Sequence, residues 1–301
     1  RTLFNTNTLL VHVNVASFDA EKHGALPLQG DCKLMLEKLS NDLSQWQSTK
    51  QWQQLIQVKK TEWNTIYEQV TCDAAANLPS DAQVLGAIKR NSDATDVIVC
   101  AAGGLPGDLH KLWRCDDSQS YHVEYGYSCM GYEIAGGLGV KMASPDRDVI
   151  VVVGDGSYMM MNSEIATSVM MGQKLIIVTL DNRGYGCINR LQMATGNEPF
   201  NNLLEDCQSI EQGAPKIDFA AHAQAMGATS ESVSSIAQLE QAFNRAKASA
   251  ATYVIAIDTD PYVTTDNGEA WWDVAIPEIS NSNTINKALE NYKNNKIKQP
   301  Y

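Results

Sequence analysis

Short apolar runs alternate with amphipathic stretches along most of this chain. Residues 96–100 (DVIVC), 149–153 (VIVVV), 175–180 (LIIVTL) and 253–258 (YVIAID) are apolar and rich in β-branched side chains. Runs of that length, without polar alternation, predict strands buried on both faces, as in a parallel sheet. Between them lie segments with helical start and stop signals. Ser80-Asp81 can cap a helix over 82–90, and 131–142 is a Gly-rich helix. Residues 158–171 suit a helix that stops at Gly172. Residues 218–226, ended by Gly227, and 237–248 suit two more. Strand–helix alternation of this kind predicts an α/β fold: a doubly wound parallel sheet with helices on both faces.

The first 80 residues are patterned differently. Residues 9–15 (LLVHVNV) read as a strand, and 31–43 as an amphipathic helix with Leu34, Leu36, Leu39 and Leu43 as its apolar positions. One strand and one helix do not make a core of their own. Residues 44–70 are polar with Trp46, Trp52 and Trp63, a linker and a helix whose aromatic rings pack on a neighbour. The expected organisation is an N-terminal segment over 1–45, a helical linker over 46–77, the main domain over 78–273 and an extension over 274–301, with a charged helix from Ile285 onward. Residues 101–110 read as a loop, as do 186–204, which are polar and weakly patterned: a lid or a plain surface loop.

Composition narrows the function. Of 301 residues, 44% are hydrophobic and 19% charged, and Lys+Arg 23 against Asp+Glu 35 leaves a net charge of −12. That balance argues against nucleic acid as a partner. No run approaches a membrane span. The seven cysteines are scattered without a CxxC pair, which fits reduced thiols in a cytoplasm better than disulfides or a zinc site.

The chemistry concentrates after residues 149–153. Gly154-Asp155-Gly156-Ser157 is a sharp turn at the carboxyl end of that strand, and Asp181-Asn182-Arg183-Gly184 follows the next one. Open α/β sheets bind ligands at those ends. Asp155 offers a carboxylate, and Asn182, 27 positions later, an amide oxygen. Gly184, bare of a side chain, lets its carbonyl approach. This is a donor set for Mg²⁺ holding a diphosphate, with Ser157 and the helix start after it as phosphate donors.

That spacing resembles the signature of thiamin-diphosphate-dependent enzymes. The wider stretch AAGGLPGDLHKLWR…YHVEYGYSCMGYEIAGGLGVKMA…VGDGSYMMMNSEI is similar to the trihydroxycyclohexanedione hydrolases, which open a ring in bacterial inositol catabolism. The likeness runs from about Leu9 to the C-terminus and is strongest over 99–190, and it implies that residues 1–45 are the tail of a second α/β domain, the family's middle domain. It implies thiamin diphosphate and Mg²⁺ as cofactors, with Asp155, Asn182 and Gly184 as metal ligands. It also implies cofactor contacts at Gly103, Gly104, Ser128, Met130, Gly154, Gly156 and Ser157. In the family the loop at Gly103-Gly104 touches the diphosphate. Many relatives carry a hydroxyl at the second position, where Gly104 leaves only a backbone N–H. Ser128-Cys129-Met130-Gly131 matches the turn that grips the aminopyrimidine, with Met130 wedged beneath the bent cofactor. Gly136-Gly137-Leu138-Gly139 lies inside a helix, where glycine permits close packing on the sheet.

The implied reaction is hydrolytic cleavage of the bond between the two carbonyls of a cyclic 1,2-dione, giving 5-deoxyglucuronate. His110 and His122 are the catalytic candidates, since an imidazole titrates near neutrality. From the residues alone, His110 is equally a surface-loop histidine. Glu124 supports the site, and His12 and His222 are structural. Trp271 and Trp272 either roof the substrate or pack on a partner. The resemblance further implies a homo-oligomer with the site between subunits. It also implies a glutamate on a pyrimidine-binding domain that this chain does not resemble, so the chain is expected to be a C-terminal portion dependent on that domain or a partner chain. A carboligase of the acetolactate synthase type and a non-catalytic cofactor-binding subunit are the alternatives.

Overall fold

The computed structural model describes residue 4 and residues 7–73, 78–206, 216–265 and 273–298. They fall into two compact units, Arg1–Trp63 with Trp271–Tyr301, and Asn64–Ala270.

In the first unit, β1 (Val11–Asn14) is followed by α1 (Ser17–Ala20), β2 (Leu26–Gln29) and α2 (Cys32–Asp42). The two strands pair in parallel, Val11 opposite Leu26. The second strand carries a proline and spans four residues, too little pattern to read from sequence. Asp31 caps α2 by accepting from the Leu34 N–H at 3.1 Å. Leu34, Leu36 and Leu43, expected as an apolar face, are each more than half exposed. The helix expected within residues 44–70 is α3 (Lys50–Thr71), 22 residues long, which runs from the first unit into the second.

The second unit holds the main sheet. In chain order it contains α4 (Asp81–Arg90), β3 (Val97–Cys100), α5 (Leu105–Leu112), β4 (Tyr121–Val123), α6 (Tyr132–Ala143) and β5 (Val149–Gly154). Next come α7 (Asp155–Tyr158), α8 (Glu164–Met170), β6 (Ile176–Asp181) and α9 (Gly186–Ala194). The last are α10 (Phe219–Ala225), β7 (Thr229–Val233), α11 (Ile236–Ala248) and β8 (Tyr253–Asp258). A final helix, α12 (Asn283–Ile297), belongs to the first unit.

The sheet order is β4-β3-β5-β6-β8-β7, every pair parallel. Strand side chains alternate between two cores. Ile150 and Val152 meet α4, α5 and α11 on one face, while Val149, Val151 and Val153 meet α6, α8 and α10 on the other. The predicted doubly wound architecture is therefore present. Ser80 forms a full capping box with Gln83 at the start of α4.

Three helices depart from expectation. The helix expected over 158–171 is broken: α7 ends at Tyr158, and α8 begins at Glu164. Tyr158 is fully buried, packed on Phe219 and bonded through its hydroxyl to His222 Nδ1 at 3.0 Å. The chain between then crosses Gly131, where a Cβ would lie 3.1 Å from Met161 Cβ. The loop expected over 101–110 is half helix, because Pro106 falls in the first turn of α5, where its missing N–H is no loss. The segment 186–204 opens with α9 instead of remaining a loop. The edge strand β7, Thr229–Val233, carries polar and charged residues and gave no apolar run to read. Among the described residues no helix is long and apolar enough to cross a membrane.

Of the three glycines in α6, Gly137 is the one that packs on the sheet, while Gly136 faces Tyr132 of its own helix and Gly139 has open space. A Cβ on Gly137 would sit 2.4 Å from Val151 Cγ2. Gly137→Ala gains about 1 kcal/mol of helix propensity and loses up to about 3 kcal/mol to overpacking. A net destabilisation of about 1–2 kcal/mol is expected, read as a lowered urea midpoint at unchanged slope.

Candidate functional site

The connection after β3 leads to β4 on one side of the sheet, and the connection after β5 leads to β6 on the other. The crevice between the carboxyl ends of β3 and β5 is the place where such folds receive ligands. A cleft lies there, with an empty volume, open side included, of about 520 Å³. Its walls come from the loops after β3, β5 and β6, and Met130 reaches it from the turn before α6.

Asp155, Asn182 and Gly184, distant in sequence, all line this cleft. Asp155 is the first residue of α7 and 7% exposed. Burial, and then the neighbouring Asp181 carboxylate, push its pKa up to about 7, against backbone N–H groups of Gly156 and Gly184 that pull it down. Its Oδ1 has no hydrogen-bond partner, and neither has Asn182 Oδ1, though both atoms are buried. Leaving such a group unsatisfied costs about 1–3 kcal/mol. Two of them at one cleft form a site poor in donors and rich in hard oxygen, which a divalent cation with phosphate and water ligands would satisfy. Among the described residues no cluster of three His, Cys, Asp or Glu side chains offers an alternative metal centre.

Gly184 can only be glycine. Its φ is +141°, and a Cβ would meet the Asn202 carbonyl oxygen at 2.5 Å. An antiparallel bridge between Gly184 and Leu203 and the Tyr185 N–H to Asn202 carbonyl bond of 2.8 Å fix this loop. Gly156 is similarly confined, because a Cβ there would lie 2.7 Å from Tyr185 Cε1 and 3.6 Å from Met130 Cε. Gly103, with φ +83°, Gly104 and Gly154 complete the backbone rim.

The turn Ser128–Gly131 contains two left-handed residues, Ser128 at φ 52° and Gly131 at φ 92°. Glu124 accepts from the N–H groups of Cys129 at 2.7 Å and Tyr127 at 3.0 Å, and these bonds hold its pKa below the usual range. Ser128 Oγ reaches the Ala101 carbonyl at 3.4 Å.

Glu133 was not singled out from the sequence. It is fully buried, and its Oε2 accepts from the Ser157 hydroxyl at 2.7 Å and the Gly131 N–H at 3.0 Å. Its Oε1 accepts from the Ala102 N–H at 3.1 Å. The Ser157 oxygen also accepts from Gly131 N–H at 2.7 Å. Ser157 lines the cleft, but its proton is engaged with Glu133 rather than held out for a phosphate. A polar residue inside an apolar helical stretch was the available signal.

Asp81 was read only as part of a helix cap. It is 6% exposed, lines the cleft, and its pKa is pushed up to about 6 by burial and by Asp108, opposed by Arg190. The Thr259 hydroxyl lies close enough to lower it, yet neither Asp81 Oδ1 nor Thr259 Oγ1 makes a well-formed bond.

The two histidines are not brought into the cleft. His110 is exposed near the end of α5, its ring 5.0 Å from that of Tyr125 and 5.9 Å from that of Tyr121. His122 lies in β4, with Nε2 2.8 Å from the Tyr132 hydroxyl. Trp271 and Trp272 lie outside the described residues.

Comparison with known proteins agrees with this geometry. The family model for the thiamine pyrophosphate enzyme, C-terminal TPP binding domain, matches residues 101–257. The chain belongs to the thiamine pyrophosphate enzymes. The matched region begins at the loop after β3 and ends in β8, so it contains every lining residue of the cleft except Asp81. The chain is 34% identical over 314 residues to 3D-(3,5/4)-trihydroxycyclohexane-1,2-dione hydrolase 2 of Bacillus cereus, covering 95% of this chain and 49% of that protein. It is 35% identical over 322 residues to the enzyme of that name from Clostridium perfringens, covering 98% and 50%. The chain thus spans about half the length of the curated relatives it matches. A thiamine diphosphate-dependent 4-hydroxybenzoylformate decarboxylase of Rhodococcus jostii superposes with a TM-score of 0.56 at 20% identity, covering 62% of this chain and 34% of that one, a likeness of fold.

Two outcomes test the site. Mg²⁺ needs Asp155 ionised, so with the carboxyl titrating at about 7 its affinity should fall about tenfold per pH unit below 7 and level off above. Calorimetric titration at pH 6, 7 and 8 measures this. Glu133→Gln replaces one accepting oxygen by a donor and leaves a loop donor unpaired. Stability should drop by about 1–3 kcal/mol in equilibrium urea unfolding.

Proposed function

We propose that this chain is the cofactor-binding part of a thiamin-diphosphate- and Mg²⁺-dependent hydrolase that opens trihydroxycyclohexane-1,2-dione to 5-deoxyglucuronate. The observation that carries the substrate is the 34–35% identity to hydrolases of that name over 95–98% of the chain. The cofactor half is supported by the two unpartnered oxygens at one cleft. The reading places the protein in inositol catabolism, in the cytoplasm, as an oligomer. It includes an N-terminal pyrimidine-binding domain, in the same chain or another, as the partner that completes the site.

Asp155 Oδ1, Asn182 Oδ1 and the Gly184 carbonyl would hold the metal. The backbone at Gly103, Gly104, Gly154 and Gly156 would meet the diphosphate, and Ser128 and Met130 the pyrimidine and the bend. When bound, the cofactor's thiazolium ring supplies the electron sink for breaking a carbon–carbon bond. In the net reaction water adds across the bond between the two carbonyl carbons, one leaving as a carboxylate and the other as an aldehyde. His110, exposed beside Tyr125, is our assignment for proton traffic at the substrate. His122, bonded to Tyr132, is assigned to position the neighbouring turn.

The test supplies purified chain with the cyclic dione, thiamin diphosphate and Mg²⁺, with and without a relative's pyrimidine-binding domain. The product is read by mass spectrometry as a gain of one water. Turnover is expected only with that domain present, to be lost in Asp155→Ala, and to fall about 10²–10⁴-fold in His110→Gln. Conversion of pyruvate to acetolactate with the dione untouched would replace this reading by the carboligase.

A further inference from the structure

Gly104 and Gly186 both line the cleft, on opposite sides of one guanidinium. A Cβ on Gly104 would lie 2.6 Å from Arg190 Nη2, and a Cβ on Gly186 would lie 3.3 Å from Arg190 Nη1. The second glycine also stands 3.0 Å, by the same measure, from the Asn182 side-chain nitrogen. Arg190 does not itself line the cleft, but its head group stands against two residues that do, Gly104 in the loop after β3 and Gly186 beside Asn182.

Local structure explains the placement. Gly186 and Arg190 are four residues apart on α9 and share a face. Long side chains on a helix point back toward its N-terminus, which here is the cleft. Gly186 has no side chain to block that path. Nη1 donates to the Pro261 carbonyl at 2.5 Å, which fixes the head group. Among the described residues no acceptor is bonded to Nη2 or Nε, so the rest of the fork is available. The space that a side chain at 104 would need is filled by Nη2.

We propose that Arg190, held between Gly104 and Gly186, is the fixed cation that binds the cofactor diphosphate, in the place where a side-chain hydroxyl at position 104 would otherwise donate. The inference rests on the thiamin-diphosphate reading above. A diphosphate ester carries more negative charge than one divalent cation cancels, and a planar fork suits phosphate oxygens better than a hydroxyl does. The carboxylates of Asp81 and Asp108 lie within electrostatic reach of Arg190. They keep the guanidinium from being an isolated buried charge before ligand arrives.

The experiment is calorimetric titration of the whole chain with inorganic pyrophosphate in Mg²⁺, beside Mg²⁺ alone. Arg190→Met is expected to weaken pyrophosphate binding about ten- to a hundredfold while leaving Mg²⁺ binding no weaker. Arg190→Gln, which keeps a donor for Pro261, is expected to lose the same factor and serves where the Met variant does not fold. Pyrophosphate binding at the unaltered affinity in either folded variant overturns the inference and leaves the function standing. So does an equal loss of Mg²⁺ binding, which would make Arg190 a structural support. An unaltered chain that binds neither Mg²⁺ nor pyrophosphate overturns the function together with it.

Discussion

The ligand edge of the sheet depends on one buried carboxylate. Glu133 sits in the first turn of α6 and accepts from three donors on three separate segments: the loop after β3, the turn before α6 and the start of α7. A loop rim alone would be the softest part of an α/β fold, because its backbone groups lack ladder partners. A shared acceptor ties those segments at fixed spacing, and it does so inside the protein, where each charge-assisted bond is strong. Ser157 is part of this tie and supports the cleft from behind.

In front of that frame the cleft is electrostatically unfinished. Asp155 and Asn182 line it and each keeps one buried oxygen without a hydrogen-bond partner, and burial and Asp181 push the Asp155 pKa up to about 7. Asp81 adds another buried acid to the wall, with Arg190 as its opposing charge. A folded protein tolerates such unsatisfied groups at a site that something else completes. On the proposed reading, a cation would sit on the oxygens after β5 and β6, and an anion on the glycine backbone after β3.

Parts of this were legible in the chain and parts were not. The four buried strands announced themselves as uninterrupted apolar runs, and Gly172 and Gly227 marked helix ends where the chain does turn left-handed. The spacing of Asp155 to Asn182 and Gly184 reached the cleft because one helix and one strand lie between two neighbouring loops. Short or polar elements escaped: β2 contains Pro27, and β7 is an edge strand with Glu231 paired to Arg245. The break after Tyr158 escaped too, since Met159, Met160 and Met161 are good helix formers and it is the crossing over Gly131 that interrupts them. His110 suited catalysis as a loop residue. Pro106, read as a loop signal, instead begins the helix that carries His110, whose ring stands beside that of Tyr125.

The sequence by itself determined the fold class and the meeting of Asp155, Asn182 and Gly184 at one cleft. Both follow from local pattern and from spacing along a chain whose crossovers have one hand. Tertiary structure decided what could not be spaced: that Glu133 joins three loops, that Asp81 belongs to the cleft, and that Arg190 occupies the room left by Gly104 and Gly186. Each of these joins residues from different segments of the chain. Their meaning lies in burial and in the absence of a competing partner, and neither quantity is written in any one stretch of residues.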